Sequence, residues 1–182
     1  MTAAQADLRT DRTEMPDAVS VERPAVADGA ALWRLAKDSG TLDVNSSYSY
    51  LLWCRDFAAT SAVARGADGA PVGFVTGYVR PDRPRTLLVW QVAVDAGHRG
   101  KGLAARLLDA LTARVAAERG LTAVETTITP GNTASERLFT SYAARHNAPV
   151  EREVLFGTEQ FPDGPHDPEV LYRIGPLALP SA

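Results

Sequence analysis

The chain has 182 residues, of which 45% are hydrophobic, and a formal net charge of −3, as is typical of a water-soluble globular domain. The mild acidity argues against a nucleic-acid-binding protein, and no apolar run is long enough to span a bilayer, so we expect neither nucleic acid nor a membrane as a partner. A single cysteine excludes an intrachain disulfide, and the polar N-terminus lacks the apolar core of a signal peptide. We therefore expect a cytoplasmic protein.

Hydrophobic periodicity and turn residues predict elements in the order β-α-α-β-β-β-α-β-α-β-β, which indicates an α+β fold. We expect a disordered leader at residues 1–18, a single domain at 19–177, a tail at 178–182 and a long loop at 157–168. The predicted strands are 19–23, 60–65, 71–80, 86–94, 121–129, 150–156 and 170–174, and the predicted helices are 28–40, 48–57, 100–118 and 132–145.

The most informative segment is a glycine-rich turn between the apolar strand 86–94 and the long helix. The turn reads Arg99-Gly100-Lys101-Gly102, and the helix after it repeats apolar residues every four positions from Leu103 to Val115. Glycine lets the backbone approach a ligand, and the first turn of a helix offers unpaired N–H groups with a partial positive charge. Together these features predict a diphosphate-binding cradle.

Of three other interpretations of this turn, the sequence excludes the first, argues against the second and leaves the third open. A Walker loop needs Ser or Thr after a glycine–lysine pair, whereas Gly102-Leu103 follows Lys101. A Rossmann fingerprint fits Gly100 and Gly102 with Ala105 at the third position, but the element order is not a repeated βαβ. The turn also fits an ordinary strand-to-helix connection.

The arrangement Arg99-x-x-Gly102-x-Ala104 after a strand resembles the coenzyme A motif of the GNAT N-acetyltransferases. This resemblance implies a central mixed, mostly antiparallel sheet flanked by helices, in which the central strand and the next strand splay apart around the acyl thioester. It also implies acetyl-CoA as cosubstrate and no metal. The residues that it places at the cofactor are Val92, Ala93, Val94, Arg99, Gly100, Lys101, Gly102, Leu103, Ala104 and Asn132, the last of which also fits a helix N-cap.

A more specific resemblance covers roughly residues 20–177. Five separated segments resemble the diaminobutyrate acetyltransferases of ectoine synthesis, which transfer acetyl from acetyl-CoA to the N4 amine of L-2,4-diaminobutyrate and supply a compatible solute made under osmotic stress. Similar enzymes are usually dimers, so we expect a homodimer. The segments are Leu42-Asp43-Val44-Asn45-Ser46-Ser47-Tyr48-Ser49-Tyr50, Gly73-Phe74-Val75-Thr76-Gly77-Tyr78, Trp90-Gln91-Val92-Ala93-Val94-Asp95, Glu125-Thr126-Thr127-Ile128-Thr129-Pro130 and Leu171-Tyr172-Arg173-Ile174-Gly175-Pro176.

The chemistry of this reaction sets two demands on the site. A lysine-like amine with a pKa of about 10.4 must lose a proton before it attacks a thioester, so a base or a water chain to a base is needed. The α-amine is the more readily deprotonated of the two substrate amines. The site must therefore hold the α-ammonium away from the thioester and aim the N4 amine at it.

We predict that the acceptor is held by the loop between the first two helices and by Trp90, which precedes the central-strand residues expected to contact coenzyme A. Asp43 is the expected anchor of the α-ammonium, with Asn45 and Tyr48 beside it, although Asp43 also fits a turn cap. Trp90 is expected to form a wall of the pocket and to stack near a cation, although a lone aromatic residue in an apolar strand also fits the core.

Glu125 and Trp90 are the predicted catalytic residues, with Glu125 as the base, directly or through water. An edge or solvent-facing position would also explain Glu125. Glu159 is a predicted substrate contact because the loop 157–168 is long enough to close over an amino acid, and His166 in the same loop fits either a proton shuttle or the surface.

The chain departs from the common GNAT pattern at one position. Many members have a tyrosine about seven residues after the asparagine, as acid for the leaving thiolate, and here Phe139 stands there. Two other functions stay open at this point: a GNAT enzyme for another small amine or peptide amine, and a non-catalytic acyl-CoA sensor.

Overall fold

The computed structural model describes residues 19–162, 164 and 166–178, so the predicted leader and most of the predicted tail lie outside the described residues. The described strands form one sheet, and four α-helices pack on it. The strands are β1 (Ser20–Glu22), β2 (Ala62–Arg65), β3 (Pro71–Arg80), β4 (Arg83–Val94), β5 (Ala123–Ile128), β6 (Val150–Phe156) and β7 (Glu169–Ile174), and the helices are α1 (Gly29–Ser39), α2 (Ser47–Asp56), α3 (Leu103–Arg119) and α4 (Thr133–Arg145).

The sheet has the strand order β1-β2-β3-β4-β5-β7-β6. Every neighbouring pair is antiparallel except β4 and β5, which are parallel. The predicted α+β fold and the predicted order of elements are therefore confirmed. A parallel pair needs a crossover connection, and α3 supplies it between β4 and β5.

Several element boundaries differ from the predictions; the starts of β4 and α3, and the missing side-chain cap of α1, have local reasons. β4 begins at Arg83 because only Pro81 and Asp82 form the turn after β3. α3 begins at Leu103 because Gly100 and Gly102 have φ angles of 75° and 73°, which are outside the helical region. Asp28 does not cap α1, because its carboxylate accepts hydrogen bonds from the Ala25 N–H at 2.7 Å and from Arg65 Nη2 at 2.8 Å.

Helices cover both faces of the sheet. On one face, the larger apolar core joins α3 and α4 to strand residues such as Leu87, Val89 and Val124. On the other face, α1 and α2 pack on Val63, Phe74 and Ala93. No helix in the described part of the chain combines the length and the apolar character needed to cross a membrane.

A β-bulge interrupts the central strand β4 at Trp90. Thr76 of β3 pairs with Gln91 and the next residue, Gly77, pairs with Val89, so Trp90 is an extra residue on β4. The parallel pairing of β4 with β5 ends at the same level, at Val89, although β4 continues to Val94. Because a bulge bends its strand and increases the local twist, β4 and β5 diverge beyond this point.

Candidate active site

The start of α3 opens into a cavity of about 490 Å³. Gly102 is the N-cap residue and has no side chain with which to cap the helix, so the first N–H groups of α3 face this space. The cavity is lined by positively charged and small residues and by no Asp or Glu: Val94, His98, Arg99, Gly100, Gly102, Leu103, Ala104, Ala105, Ala134, Arg137, Leu138, Ser141 and Arg145. A helix start with this surrounding charge is suited to a polyanion.

A second cavity, of about 260 Å³, follows the end of β4. Asn132 lies on its wall and is also the N-cap of α4, where its side chain accepts a hydrogen bond from the Ser135 N–H at 3.1 Å. The predicted cofactor contacts at β4 belong to this wall, which comprises Ser39, Thr41, Leu42, Val92, Ala93, Val94, Arg99, Ala104, Asn132, Ala134, Ser135 and Leu138.

A third cavity, of about 270 Å³, lies where β4 and β5 diverge. The bulge at Trp90 breaks the alternation of β4, and both Trp90 and the next residue, Gln91, line this cavity. Its wall is mostly polar and consists of Thr41, Leu42, Asp43, Asn45, Trp90, Gln91, Thr127, Thr129, Asn132 and Glu169.

The three cavities share walls and therefore lie in series. Arg99, Ala104 and Leu138 line the first and the second, whereas Leu42 and Asn132 line the second and the third. An elongated molecule held by its anionic end at α3 can thus extend its other end to the third cavity. This geometry fits a transfer reaction in which the third cavity holds the acceptor.

Gln91 links the wall of the acceptor cavity to α2 and to the loop that contains Asp43. The buried Tyr50 hydroxyl on α2 donates to Gln91 Oε1 at 3.0 Å, and Gln91 Nε2 donates to the Asp43 carbonyl at 2.9 Å. Two further contacts border the loop: Asn45 Nδ2 donates to the same carbonyl at 3.4 Å, and His166 Nε2 lies 3.9 Å from Asp43 Oδ2. The Asp43 side chain itself is 93% exposed, so its carboxylate is accessible to a ligand.

Trp90 is not a core residue, since 39% of it is exposed. Its ring lies 4.8 Å from the ring of Trp53 on α2, which in turn contacts Phe57 at 4.7 Å. This stacking fixes the orientation of the indole beside the acceptor cavity, where its face is available to a cation.

Glu125 does not lie at the acceptor cavity, and it is not at a solvent-facing edge either. Its side chain is fully buried, and its carboxylate contacts Arg80 Nη1 at 2.8 Å, Arg83 Nη1 at 3.4 Å and Arg173 Nη1 at 3.8 Å. These arginines belong to β3, β4 and β7, so the ion pairs join three strands to β5. The predicted role as base conflicts with this position, because the carboxylate is occupied and enclosed.

Two predicted substrate contacts are also not brought to the cavity. Tyr48 is 65% exposed on the first turn of α2, and Glu159 lies in a short 3₁₀ turn of the long loop, where its carboxylate folds back toward Gly157. Besides Asp43, the acidic residue on the cavity wall is Glu169, the first residue of β7. Sequence reasoning missed it because the predicted last strand begins one residue later and Glu169 was left next to the loop.

Thr127 and Thr129 on the cavity wall were also missed, although the alternation of β5 contains the signal. Thr127 shares the side of β5 that carries Glu125, and Thr129 continues the same two-residue spacing just beyond the end of the strand. The position of the usual tyrosine offers no acid here, since Phe139 is buried in the core. Tyr142 is also fully buried, and burial raises its pKa to about 12. Among the described residues, no cluster of three His, Cys, Asp or Glu side chains could hold a metal ion.

The start of α3 is suited to an anion, and a channel joins it to a polar acceptor pocket. Both lie on a sheet that opens between two parallel strands. Together these features define an acyl-CoA-dependent transferase. The acetyltransferase (GNAT) family model matches residues 30–143, and the chain belongs to this family. The fold is shared with Ard1 from Thermoplasma volcanium, at a TM-score of 0.68 and 18% identity over 87% of this chain and 98% of that one.

Within this family the chain groups with the L-2,4-diaminobutyric acid acetyltransferases. It is 74% identical to the enzyme of that name from Streptomyces avermitilis and 70% identical to that from Streptomyces anulatus, in both cases over 98% of this chain and 99% of the relative. Diaminobutyrate acetyltransferase EctA from Paenibacillus lautus, solved with L-2,4-diaminobutyric acid and coenzyme A, superposes with a TM-score of 0.83 at 42% identity, over 88% of this chain and 96% of that one.

The role of Gly102 in the anion cradle can be tested with a matched pair of substitutions. Gly102 and Gly120 have positive φ angles of 73° and 66° at opposite ends of α3. Valine strains the backbone at both sites, so Gly102→Val and Gly120→Val should lose comparable stability. Only Gly102→Val should weaken coenzyme A binding, by about tenfold or more, in calorimetric titrations. Equal affinities for the two folded variants would place the cradle elsewhere.

The enclosed position of Glu125 predicts a structural effect of its removal. Glu125→Ala leaves three arginines around a buried gap and should lower the free energy of unfolding by about 3–5 kcal/mol, measured by urea denaturation. Glu22→Ala, which breaks the exposed pair with Arg65, should cost about 1 kcal/mol or less. A Glu125→Gln variant that keeps full stability but loses turnover would instead support the role as base.

Proposed function

We propose that this protein transfers the acetyl group of acetyl-CoA to the N4 amine of L-2,4-diaminobutyrate, giving N4-acetyl-L-2,4-diaminobutyrate and coenzyme A for ectoine synthesis. The observation that carries the proposal is the series of three cavities, which leads from the start of α3 to a pocket with two carboxylates. The relatives named above, at up to 74% identity among those cited, support the same substrates.

Acetyl-CoA fits the channel in one direction. Its diphosphate would bind at the N–H groups of Arg99–Ala104, with Lys101 adding charge at the exposed tip of the turn. The pantetheine arm would follow the second cavity beside Val92 and Val94, where β4 has left its pairing with β5. The thioester then reaches Asn132, at the boundary with the acceptor cavity, where main-chain N–H groups of β4 can stabilise the oxyanion.

The acceptor cavity meets the regiochemical demand with two carboxylates and an aromatic wall. Asp43 and Glu169 both line it, and either can hold an ammonium group, while the face of Trp90 favours a cation beside it. We assign Asp43 to the α-ammonium, as the resemblance implies, with Asn45 beside it. Glu169, rather than Glu125, is the acidic residue positioned to accept the proton of the N4 amine, directly or through water.

The amine attacks the thioester directly in a ternary complex. An acetyl-cysteine intermediate would need a reactive thiol, and Cys54 is the only cysteine. Its side chain lies in the core between α1 and α2, and burial raises its pKa to about 11. A thiol in this environment is a poor nucleophile near neutral pH.

The cellular setting follows from the cosubstrate. Acetyl-CoA and amino acids are available in the cytoplasm, so we assign the enzyme to that compartment. The product supplies a compatible solute, which connects the activity to osmotic stress.

The substrate assignment can be tested with purified protein, acetyl-CoA and a panel of amines. Diaminobutyrate should give the highest kcat/KM in a free-thiol release assay, exceeding ornithine by about tenfold or more because one methylene changes the fit. Equal rates with ornithine, lysine or a peptide amine would overturn the substrate. Binding of acetyl-CoA with no thiol release for any amine would indicate a sensor instead.

Asp43→Ala tests whether the Asp43 carboxylate anchors the α-ammonium of the acceptor. Loss of the carboxylate should raise KM for diaminobutyrate or lower kcat/KM by about 10²-fold, because positioning contributes strongly to such reactions. Coenzyme A affinity should stay unchanged. Asp38→Ala, an exposed residue of α1 outside the cavities, is the control. If Asp43→Ala weakened coenzyme A binding as much as it impaired the use of diaminobutyrate, the role of Asp43 would be structural.

We also propose that the enzyme is a homodimer. The edge strand β6 exposes Val154, Leu155 and Phe156, by 62%, 37% and 44% respectively. An exposed apolar cluster at the end of an edge strand invites association through its unpaired backbone and side chains, even though this strand also carries charged residues at 151–153. A second copy would cover this surface next to β7, which carries Glu169.

Size-exclusion chromatography with light-scattering detection tests the proposed homodimer. The wild type should have twice the mass of the chain, and Leu155→Lys should shift it toward monomer because a charge would be buried at the contact. Val26→Lys, at a similarly exposed apolar residue away from β6, should leave the mass unchanged. A monomeric wild type would rule out the dimer.

A further inference from the structure

The helix α4 presents a row of polar residues to the first cavity. Arg137, Ser141 and Arg145 are spaced four residues apart, lie along one side of the helix and line this cavity alone. Asn132 and Ser135, closer to the start of α4, line the second cavity instead. The row therefore flanks the end of the channel that is farthest from the acceptor.

The arginines at this end differ in the partners they already have. Arg145 donates to both carboxylate oxygens of Asp109, at 2.9 and 3.1 Å, and to Ser141 Oγ at 3.1 Å. Arg99 donates from Nε to the Val94 carbonyl at 3.0 Å. Within the described residues, the Arg137 guanidinium has no hydrogen-bond or ion-pair partner, although it lines a cavity that contains no carboxylate. Its charge is therefore available to a ligand.

Coenzyme A carries two separate anionic groups, and the start of α3 accounts for one of them. The diphosphate occupies the helix start, where N–H groups and the helix dipole suit it. The phosphate monoester on the ribose lies beyond the diphosphate, and it carries between one and two negative charges near neutral pH. A guanidinium binds such a group with paired, charge-assisted hydrogen bonds.

We propose that Arg137 binds the ribose phosphate monoester of the cosubstrate and makes the enzyme discriminate coenzyme A from dephospho-coenzyme A. The inference rests on the proposed acetyl-CoA-dependent function and adds a specificity-determining residue to it. Arg145 also lines the cavity beside this phosphate, but its ion pair with Asp109 neutralises most of its charge.

The test compares the affinities of two ligands that differ only in this phosphate. Coenzyme A and dephospho-coenzyme A are titrated calorimetrically into the wild type, Arg137→Ala and the control Arg106→Ala, whose side chain bonds the Val19 carbonyl outside the cavities. The wild type and the control should prefer coenzyme A by about tenfold or more. Arg137→Ala should lose most of this preference while its affinity for dephospho-coenzyme A stays within about twofold of the wild type.

Two results would overturn the proposal. Equal weakening of both ligands in Arg137→Ala would place the guanidinium at the diphosphate, and an unchanged preference would place the monoester elsewhere. Steady-state kinetics give an independent readout, because Arg137→Ala should raise KM for acetyl-CoA and leave both kcat and KM for diaminobutyrate unchanged. The binding titrations need no acceptor, so an error in the proposed amine would leave the ligand preference intact.

Discussion

The bulge at Trp90 is the constraint on which the candidate site depends. One extra residue in β4 brings two successive side chains, Trp90 and Gln91, to the acceptor cavity and coincides with the end of the pairing between β4 and β5. Without it, strict alternation would turn one of these side chains to the opposite face of the sheet. The same irregularity thus marks the opening between β4 and β5 and supplies part of the pocket beside it.

The ion pairs of Glu125 stabilise the sheet just before the gap. Glu125 lies opposite Leu88, next to the last paired residues of β4 and β5, and its carboxylate holds arginines from three other strands. Where β4 and β5 diverge, the sheet loses backbone hydrogen bonds. The paired part of the sheet next to this opening must therefore hold the two strands in place. A buried carboxylate with several arginine partners supplies cross-strand contacts at this position, and removing it would leave the arginine charges without their partner.

The sequence predicted features that depend on neighbouring residues and missed those that depend on distant pairing. The glycine-rich turn, the long helix after it and Asn132 as an N-cap all follow from local patterns, and so does the order of elements along the chain. The environment of Glu125 could not be predicted, because its arginine partners come from strands up to 48 residues away along the chain. Glu169 was missed because β7 reaches the cavity only through its pairing with β5.

The loop after α1 borders both the channel for the cosubstrate and the acceptor pocket within a single short stretch of backbone. Ser39 and Leu42 border the channel for the cosubstrate, and the next residue, Asp43, borders the acceptor pocket. Any order that a ligand imposed on the first part of this stretch would extend to the second and would lower the entropy lost when the other ligand binds. Thermodynamic linkage would make such a gain in affinity mutual.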